Sequence, residues 1–260
     1  MDQPFDDADL PHRYRDKIAL VTGAASGIGR ATAIRLGAEG ATVWCADING
    51  DGAAAVAADL VEHGAVARAS TVDVTDPDAC RALVAEVVET FGGLDVLCNI
   101  AGIGGMTHFA DETPEKFLKL FAVNAAGPFY LSQAALPHLT GRKGNIMNLA
   151  STAGVIGQAY VAGYVASKHA LVGLTRAMAI ELGRTGIRVN AVCPGGVNTN
   201  ILNDFMPPEG ASMSLVSRAF LLREMQEPDS VAAMIAYVCS DEAYYVNGAI
   251  LPIDAGTTTG

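Results

Sequence analysis

Short apolar runs rich in β-branched residues alternate along the chain with longer stretches in which apolar positions recur every three or four residues. The short runs cover Ile18 to Thr22, Thr42 to Asp47, Val66 to Asp73, Leu94 to Asn99, Asn145 to Ser151, Arg188 to Pro194 and Ala249 to Asp254. Several, such as Ile18-Ala19-Leu20-Val21, are continuously apolar, as a strand covered on both faces requires. The stretches between them carry helix-start signals at Asp76-Pro77, Thr113-Pro114-Glu115 and Glu227-Pro228-Asp229. This alternation predicts an α/β fold, a single doubly wound Rossmann-type domain on a parallel sheet.

No composition break, repeat or low-complexity tract marks a second domain, so one domain is expected over residues 17–260. Residues 1–16, MDQPFDDADLPHRYRD, are polar and acidic, lack the apolar stretch of a signal peptide, and are expected to form a loose leader. The longest interruption of the pattern runs from about Asn198 to Glu224 and contains Met206-Pro207-Pro208, Met213, Leu215, Val216, Phe220 and Leu221. A connection of that length in a compact α/β domain is usually functional. Its apolar residues could close over a ligand, or they could cover the sheet edge or a subunit contact.

Composition narrows the function classes. Of 260 residues half are hydrophobic and 17% charged, which suits a large buried core. The net charge of -11, with no cluster of Lys or Arg, opposes nucleic acid as a partner. No run of 18 or more apolar residues offers a membrane span, so a cytoplasmic protein is expected. The five cysteines, Cys45, Cys80, Cys98, Cys193 and Cys239, are scattered and form no metal-ligand spacing with histidine. They read as small buried hydrophobes in a reducing compartment, and no metal is expected.

The first chemical motif is Thr22-Gly23-Ala24-Ala25-Ser26-Gly27-Ile28-Gly29, directly after the first strand. Glycines there permit a tight turn and let the backbone approach a pyrophosphate, whose charge is met by a helix N-terminus. Gly23, Ser26, Gly27, Ile28 and Gly29 are the candidate contacts. The next strand ends at Asp47, whose carboxylate can accept from adenosine ribose hydroxyls and would repel a 2′-phosphate. Neither Ile48 nor Asn49 supplies a compensating cation, so NAD is expected over NADP. A plain solvated strand-end carboxylate is the alternative reading of Asp47.

The second constellation is Ser151 at a strand end and Tyr164-Val165-Ala166-Ser167-Lys168 at a helix start. Tyr164 and Lys168 are at i and i+4, so they project from one face. A tyrosine that acts as a base near neutrality needs its pKa lowered by roughly 3 units, equivalent to about 4 kcal/mol. The Lys168 ammonium and the positive charge of an oxidised nicotinamide would both act in that direction.

Taken together, these residues resemble the short-chain dehydrogenase/reductase family, and the resemblance runs from about Lys17 to Gly256. It rests on Thr22 to Gly29, Asp73-Val74, Asn99-Ile100-Ala101-Gly102, Asn124, Ser151, Tyr164-x-x-x-Lys168, Pro194-Gly195 and Asp254-Ala255-Gly256. Ile100 stands where the family usually has a second Asn, and Ala255 where it usually has Gly. The resemblance implies a seven-stranded sheet in the order 3-2-1-4-5-6-7, helices on both faces and a homotetramer. It also implies that Asp73 and Val74 approach the adenine, that Asn99, Ala101 and Gly102 line the ribose and pyrophosphate path, and that Pro194, Gly195, Val197 and Thr199 hold the nicotinamide.

The implied reaction is reversible oxidation of a secondary alcohol to a ketone with NAD. Ser151 bonds the substrate oxygen, Tyr164 takes its proton, and Lys168 lowers the Tyr164 pKa and binds the nicotinamide ribose. Asn124 resembles the residue that holds a proton-relaying water; a local backbone bond is the alternative. The pocket should involve Gly104, Gly105, Met106, Gln158, Tyr160 and the segment from Asn198 to Glu224, with no Arg or Lys before Arg218. That favours an extended apolar alcohol such as a steroid, terpenoid or long-chain alcohol over a carboxylate. His108, His138 and His169 match no catalytic position. An NADP-dependent 3-oxoacyl thioester reductase and a catalytically silent NAD sensor are the alternatives. Asp47 and the acidic balance oppose the first, and intact Ser151, Tyr164 and Lys168 oppose the second.

Overall fold

The computed structural model describes residues 12–219 and 225–259. Seven parallel strands form one sheet: β1 (Ile18–Thr22), β2 (Thr42–Asp47), β3 (Ala67–Thr71), β4 (Val96–Asn99), β5 (Asn145–Leu149), β6 (Arg188–Pro194) and β7 (Ile250–Ile253). Their order is β3-β2-β1-β4-β5-β6-β7, as the resemblance implies. The helices between them are α1 (Gly27–Ala38), α2 (Gly50–Glu62), α3 (Pro77–Phe91), α4 (Pro114–Phe121), α5 (Gly127–Thr140), α6 (Ala162–Leu182), the short α7 (Met213–Val216) and α8 (Pro228–Cys239).

The apolar strand runs are continuous because alternate residues enter opposite cores. Ala19 and Val21 of β1 pack on the α1, α2 and α8 side, and Ile18 and Leu20 on the α3 and α5 side. In β2 the same division separates Val43 and Cys45 from Trp44 and Ala46. The start signals act as expected. Asp76 accepts from Asp78 and Ala79 N–H groups ahead of Pro77, and Thr113 accepts from Lys116 N–H ahead of Pro114. All five cysteines are buried and free.

The described part of the expected leader, residues 12–16, is packed. Arg13 pairs with Glu39 at 2.6 Å, the Tyr14 ring is buried, and its O–H donates to the Ala236 carbonyl. The leader reads as loose in sequence because its partners on α1 and α8 lie far away along the chain. Residues 1–11 lie outside the described residues.

Candidate active site

The carboxyl ends of β1, β2, β4, β5 and β6 converge on a cleft, the place where an open α/β sheet binds ligands. Its outer part, about 570 Å³, is lined by Gly23, Ser26, Gly27, Ile28 and Gly29, by Asp47, and by Asp73 and Val74. Ala101, Gly102 and Thr199 line it from the far side. The glycines leave no room for side chains. A Cβ on Gly23 would lie 2.9 Å from Ala101 backbone, and one on Gly29 would overlap the Gly23 carbonyl. One on Gly27 would lie 3.0 Å from the Thr199 methyl. Ser26, ahead of α1, makes no side-chain cap bond and the first turn carries no acidic residue, and residues 26–29 line the cleft, so the positive end of the helix lies at the cleft wall. This cradle fits the pyrophosphate of a dinucleotide.

Asp47 does more than end a strand. One carboxylate oxygen accepts from Ala25 N–H at 3.0 Å and the other from Asn49 N–H at 2.9 Å, so the residue braces the glycine turn. A carboxylate has lone pairs to spare for ribose hydroxyls. Asp73 accepts from the backbone and hydroxyl of Thr75, bonds that lower its pKa.

The inner part, about 150 Å³, brings Ser151, Tyr164 and Lys168 onto one wall and Pro194, Gly195, Val197 and Thr199 onto another. Ile28 and Gly102 border both parts. Its roof comes from the long segment, here a helical turn at Asn200–Asp204, then α7 and a turn at Ser217–Ala219, through Ile201, Leu202, Phe205 and Ala219. Phe220, Leu221 and Glu224 of that segment lie outside the described residues. The Phe205 ring packs edge-on against Tyr164 at 5.2 Å and fills the space that a Gly104 side chain would need.

Asn124 is buried where the helix widens to a π turn over Ala122–Ala126. Its amide bonds the Ile103 N–H and C=O and donates to Ser167, each at 3.0 Å, so its partners are long-range instead of the local ones considered above. A Cβ on Gly102 would lie 3.2 Å from Asn124 Oδ1 and 3.6 Å from Lys168 Nζ, so both side chains lie close to that glycine. Asn99 departs from expectation. Its side chain is buried away from both parts of the cleft and donates to Asn148 at 2.9 Å and Ser132 at 3.3 Å. Asn99 is the last residue of β4 and pairs with Asn148 on β5 inside the sheet, whereas Ala101 and Gly102 follow in the loop beyond the strand end.

Comparison with known proteins agrees with this geometry. A family model described as enoyl-(acyl carrier protein) reductase matches residues 23–258. The meso-2,3-butanediol dehydrogenase of Serratia marcescens is 39% identical over 246 residues, covering 95% of this chain and 96% of that one. The chain belongs to the short-chain dehydrogenase/reductase family. Among solved members of this family, a short-chain dehydrogenase from Mycobacterium paratuberculosis bound to NAD superposes with a TM-score of 0.88 at 31% identity, covering 95% of this chain and all of that one. Another, from Burkholderia cenocepacia in complex with NADP, gives 0.85 at 37% identity, covering 94% and 99%.

This short-chain dehydrogenase/reductase differs in its electrostatics from the sequence expectation. Burial pushes the Tyr164 hydroxyl up to about 12, against the lowering effect of its hydrogen bond with Ser151. Burial also brings the Lys168 ammonium down to about 8. Desolvation favours the neutral form of both groups, so Lys168 by itself does not lower Tyr164. Lys168 Nζ is 5.7 Å from the Tyr164 ring centroid and donates to the Leu149 carbonyl at 2.7 Å.

Sequence reasoning missed three participants. Thr22 Oγ1 accepts from Ile100 and Ala101 N–H groups and fixes the loop after β4. Lys119 lines the outer cleft beside Asp73, and Lys116 reaches the Met106 carbonyl at 3.5 Å, beside Gly105. Counting back from Asn124 along its helix could have found Lys119. Thr22 heads the glycine motif, but nothing local in sequence marks its bond to the loop after β4, and nothing marks Lys116.

Proposed function

We propose that the protein interconverts a secondary alcohol and a ketone by hydride transfer to or from NAD(H). The observation that carries this reading is the placement of Ser151, Tyr164 and Lys168 on one small cavity that opens into a glycine-lined cleft. The similarity to a butanediol dehydrogenase supports the reaction class. The bound dinucleotide supplies the hydride acceptor or donor.

In this reading the chain's own residues orient the substrate and move the proton. Ser151 Oγ bonds the substrate oxygen and positions it at Tyr164, whose hydroxyl exchanges the proton. Because burial holds Tyr164 protonated, the phenol is ready to donate in ketone reduction. In alcohol oxidation it needs added positive charge close by, from Lys168 and an oxidised nicotinamide together. Asn124 fixes the Ile103 backbone at the wall of the outer cleft and bonds Ser167 on the helix that carries Tyr164 and Lys168.

Asp47 supports NAD as the dinucleotide, since its carboxylate would repel a 2′-phosphate and the lysine of the cleft lining, Lys119, stands beside Asp73. The lining of Leu149, Ile201, Leu202 and Phe205 supports an apolar substrate. The inner cavity of about 150 Å³ has room for a compact alcohol within its described walls. One domain from residue 17 onward is supported by the continuous sheet. The homotetramer rests on the family resemblance. No described helix is long and apolar enough to cross a membrane, which accords with a cytoplasmic location.

The decisive test measures NADH and NADPH formation across compact secondary alcohols, with wild type and Tyr164→Phe. The reading requires activity with NAD that the variant loses by at least about a hundredfold, the usual weight of a general acid or base. A fully active Tyr164→Phe would overturn it.

A further inference from the structure

Tyr160 is one of four described non-glycine residues with positive φ, at 65°. A bulky side chain is seldom held in the left-handed region without a reason in the surrounding structure. Here the twist turns the chain just before α6, so that the Tyr160 carbonyl accepts from Thr107 N–H at 2.7 Å. The side chain is sent away from the cavity and onto the roof. Tyr160 Oη accepts from the Ser212 N–H at 2.9 Å, and its ring meets His108 edge-on at 5.3 Å. His108 Nε2 in turn lies 2.8 Å from the Glu209 carbonyl. The roof segment is otherwise poorly self-supported, with a five-residue turn, the four-residue α7 and several exposed apolar side chains, among them Met206 and Met213.

We infer that Tyr160 is a positioning residue that holds roof residues 204–212 down over the substrate cavity, with His108 as its second point of attachment. The inference rests on the proposed reaction for its kinetic consequence and on geometry alone for its structural one. Tyr160 stands four residues before Tyr164, and Phe205 of the roof packs on the Tyr164 ring. A single turn thus ties the proton-transfer residue to the wall that encloses the substrate. Loosening the tie lets Phe205 move away from Tyr164 and leaves the dinucleotide cleft untouched, because Tyr160 does not border it. The cost falls on substrate affinity and on discrimination by size.

The test uses Tyr160→Phe, which keeps the ring against His108 and removes the acceptor, and Ser212→Pro, which removes the donor. The φ of -76° at Ser212 suits proline. Each variant should raise KM for a compact alcohol such as cyclohexanol about fivefold, the weight of one neutral hydrogen bond, with kcat unchanged or higher. The double variant should be no worse than either single one. NADH affinity, read by fluorescence titration, should not move. Limited proteolysis of the full chain should become faster within residues 204–212 in each variant. Unchanged KM and unchanged proteolysis in both variants would overturn the inference, as would additive effects or a parallel loss of NADH affinity. If the wild type oxidises no alcohol, the proposed reaction fails and the proteolysis comparison still decides the role of Tyr160.

Discussion

Lys168 keeps its ammonium 5.7 Å from the Tyr164 ring centroid while its hydrogen bond goes to the Leu149 carbonyl, so the two residues share a dry site in which neither charge is favoured. Burial brings Lys168 from its ordinary 10.5 to about 8 in the folded chain. The unfolded chain therefore binds more protons between about pH 8 and 10.5, and stability from this group rises with pH across that window. It is lost progressively as pH falls from 10.5 to 8. The unfolding free energy of wild type relative to Lys168→Met, measured in denaturant at each pH, should move in favour of wild type from pH 8 to pH 10. A flat difference would mean that Lys168 is not desolvated.

Asp47 both faces the cleft and braces Ala25, so the two roles should fail together. Asp47→Ala is expected to weaken NADH binding by at least about tenfold, having removed a charged acceptor and the support of the turn. NADPH affinity should stay below that of wild type for NADH. Fluorescence titrations with both dinucleotides measure this, and a simple exchange of preference at equal affinity would show that the brace is unimportant.

Gly104 leaves the space that the Phe205 ring occupies. Gly104→Ala should displace that ring from Tyr164 and raise KM several-fold for a compact alcohol. Combined with Phe205→Ala, it should add little, because the ring it would strike is gone. Kinetics on the two single variants and the double variant check the coupling, and full additivity would sink it.

Asn99 donates to Asn148, which donates to Thr175 at 2.9 Å. Asn148→Ala removes two buried hydrogen bonds while Asn99 keeps Ser132 and Thr175 keeps the Leu171 carbonyl, and should cost about 1–2 kcal/mol of stability. Since neither Asn99 nor Asn148 borders the cleft, NADH affinity of the folded variant should change less than twofold. Denaturant unfolding and a titration at low temperature separate the two effects. A large loss of affinity would return Asn99 to the cofactor site.

Much of the fold was legible because its signals are local. The unbroken apolar run of Ile18 to Val21 is a strand buried on both faces, and Asp76-Pro77 starts its helix through bonds that reach no further than Ala79. Gly29 belongs here too, since a glycine turn between a strand and a helix is a contiguous pattern. What was misread depends on partners remote in sequence. Arg13 and Tyr14 look like a loose leader until Glu39 and Ala236 are beside them. Asn99 looks like a ligand contact until the pairing of β4 with β5 sets it beside Asn148.

The sequence by itself determined the layered α/β architecture, the glycine turn, and the chemical types at Ser151, Tyr164 and Lys168, because periodicity and short motifs encode them within a few residues. Only the tertiary structure decided the protonation tendencies of Tyr164 and Lys168, the core role of Asn99 and the tie between Tyr160 and the roof. Desolvation and hydrogen bonding across Tyr164–Ser151, Asn99–Asn148 and Tyr160–Ser212 exist only once the chain has brought distant segments together.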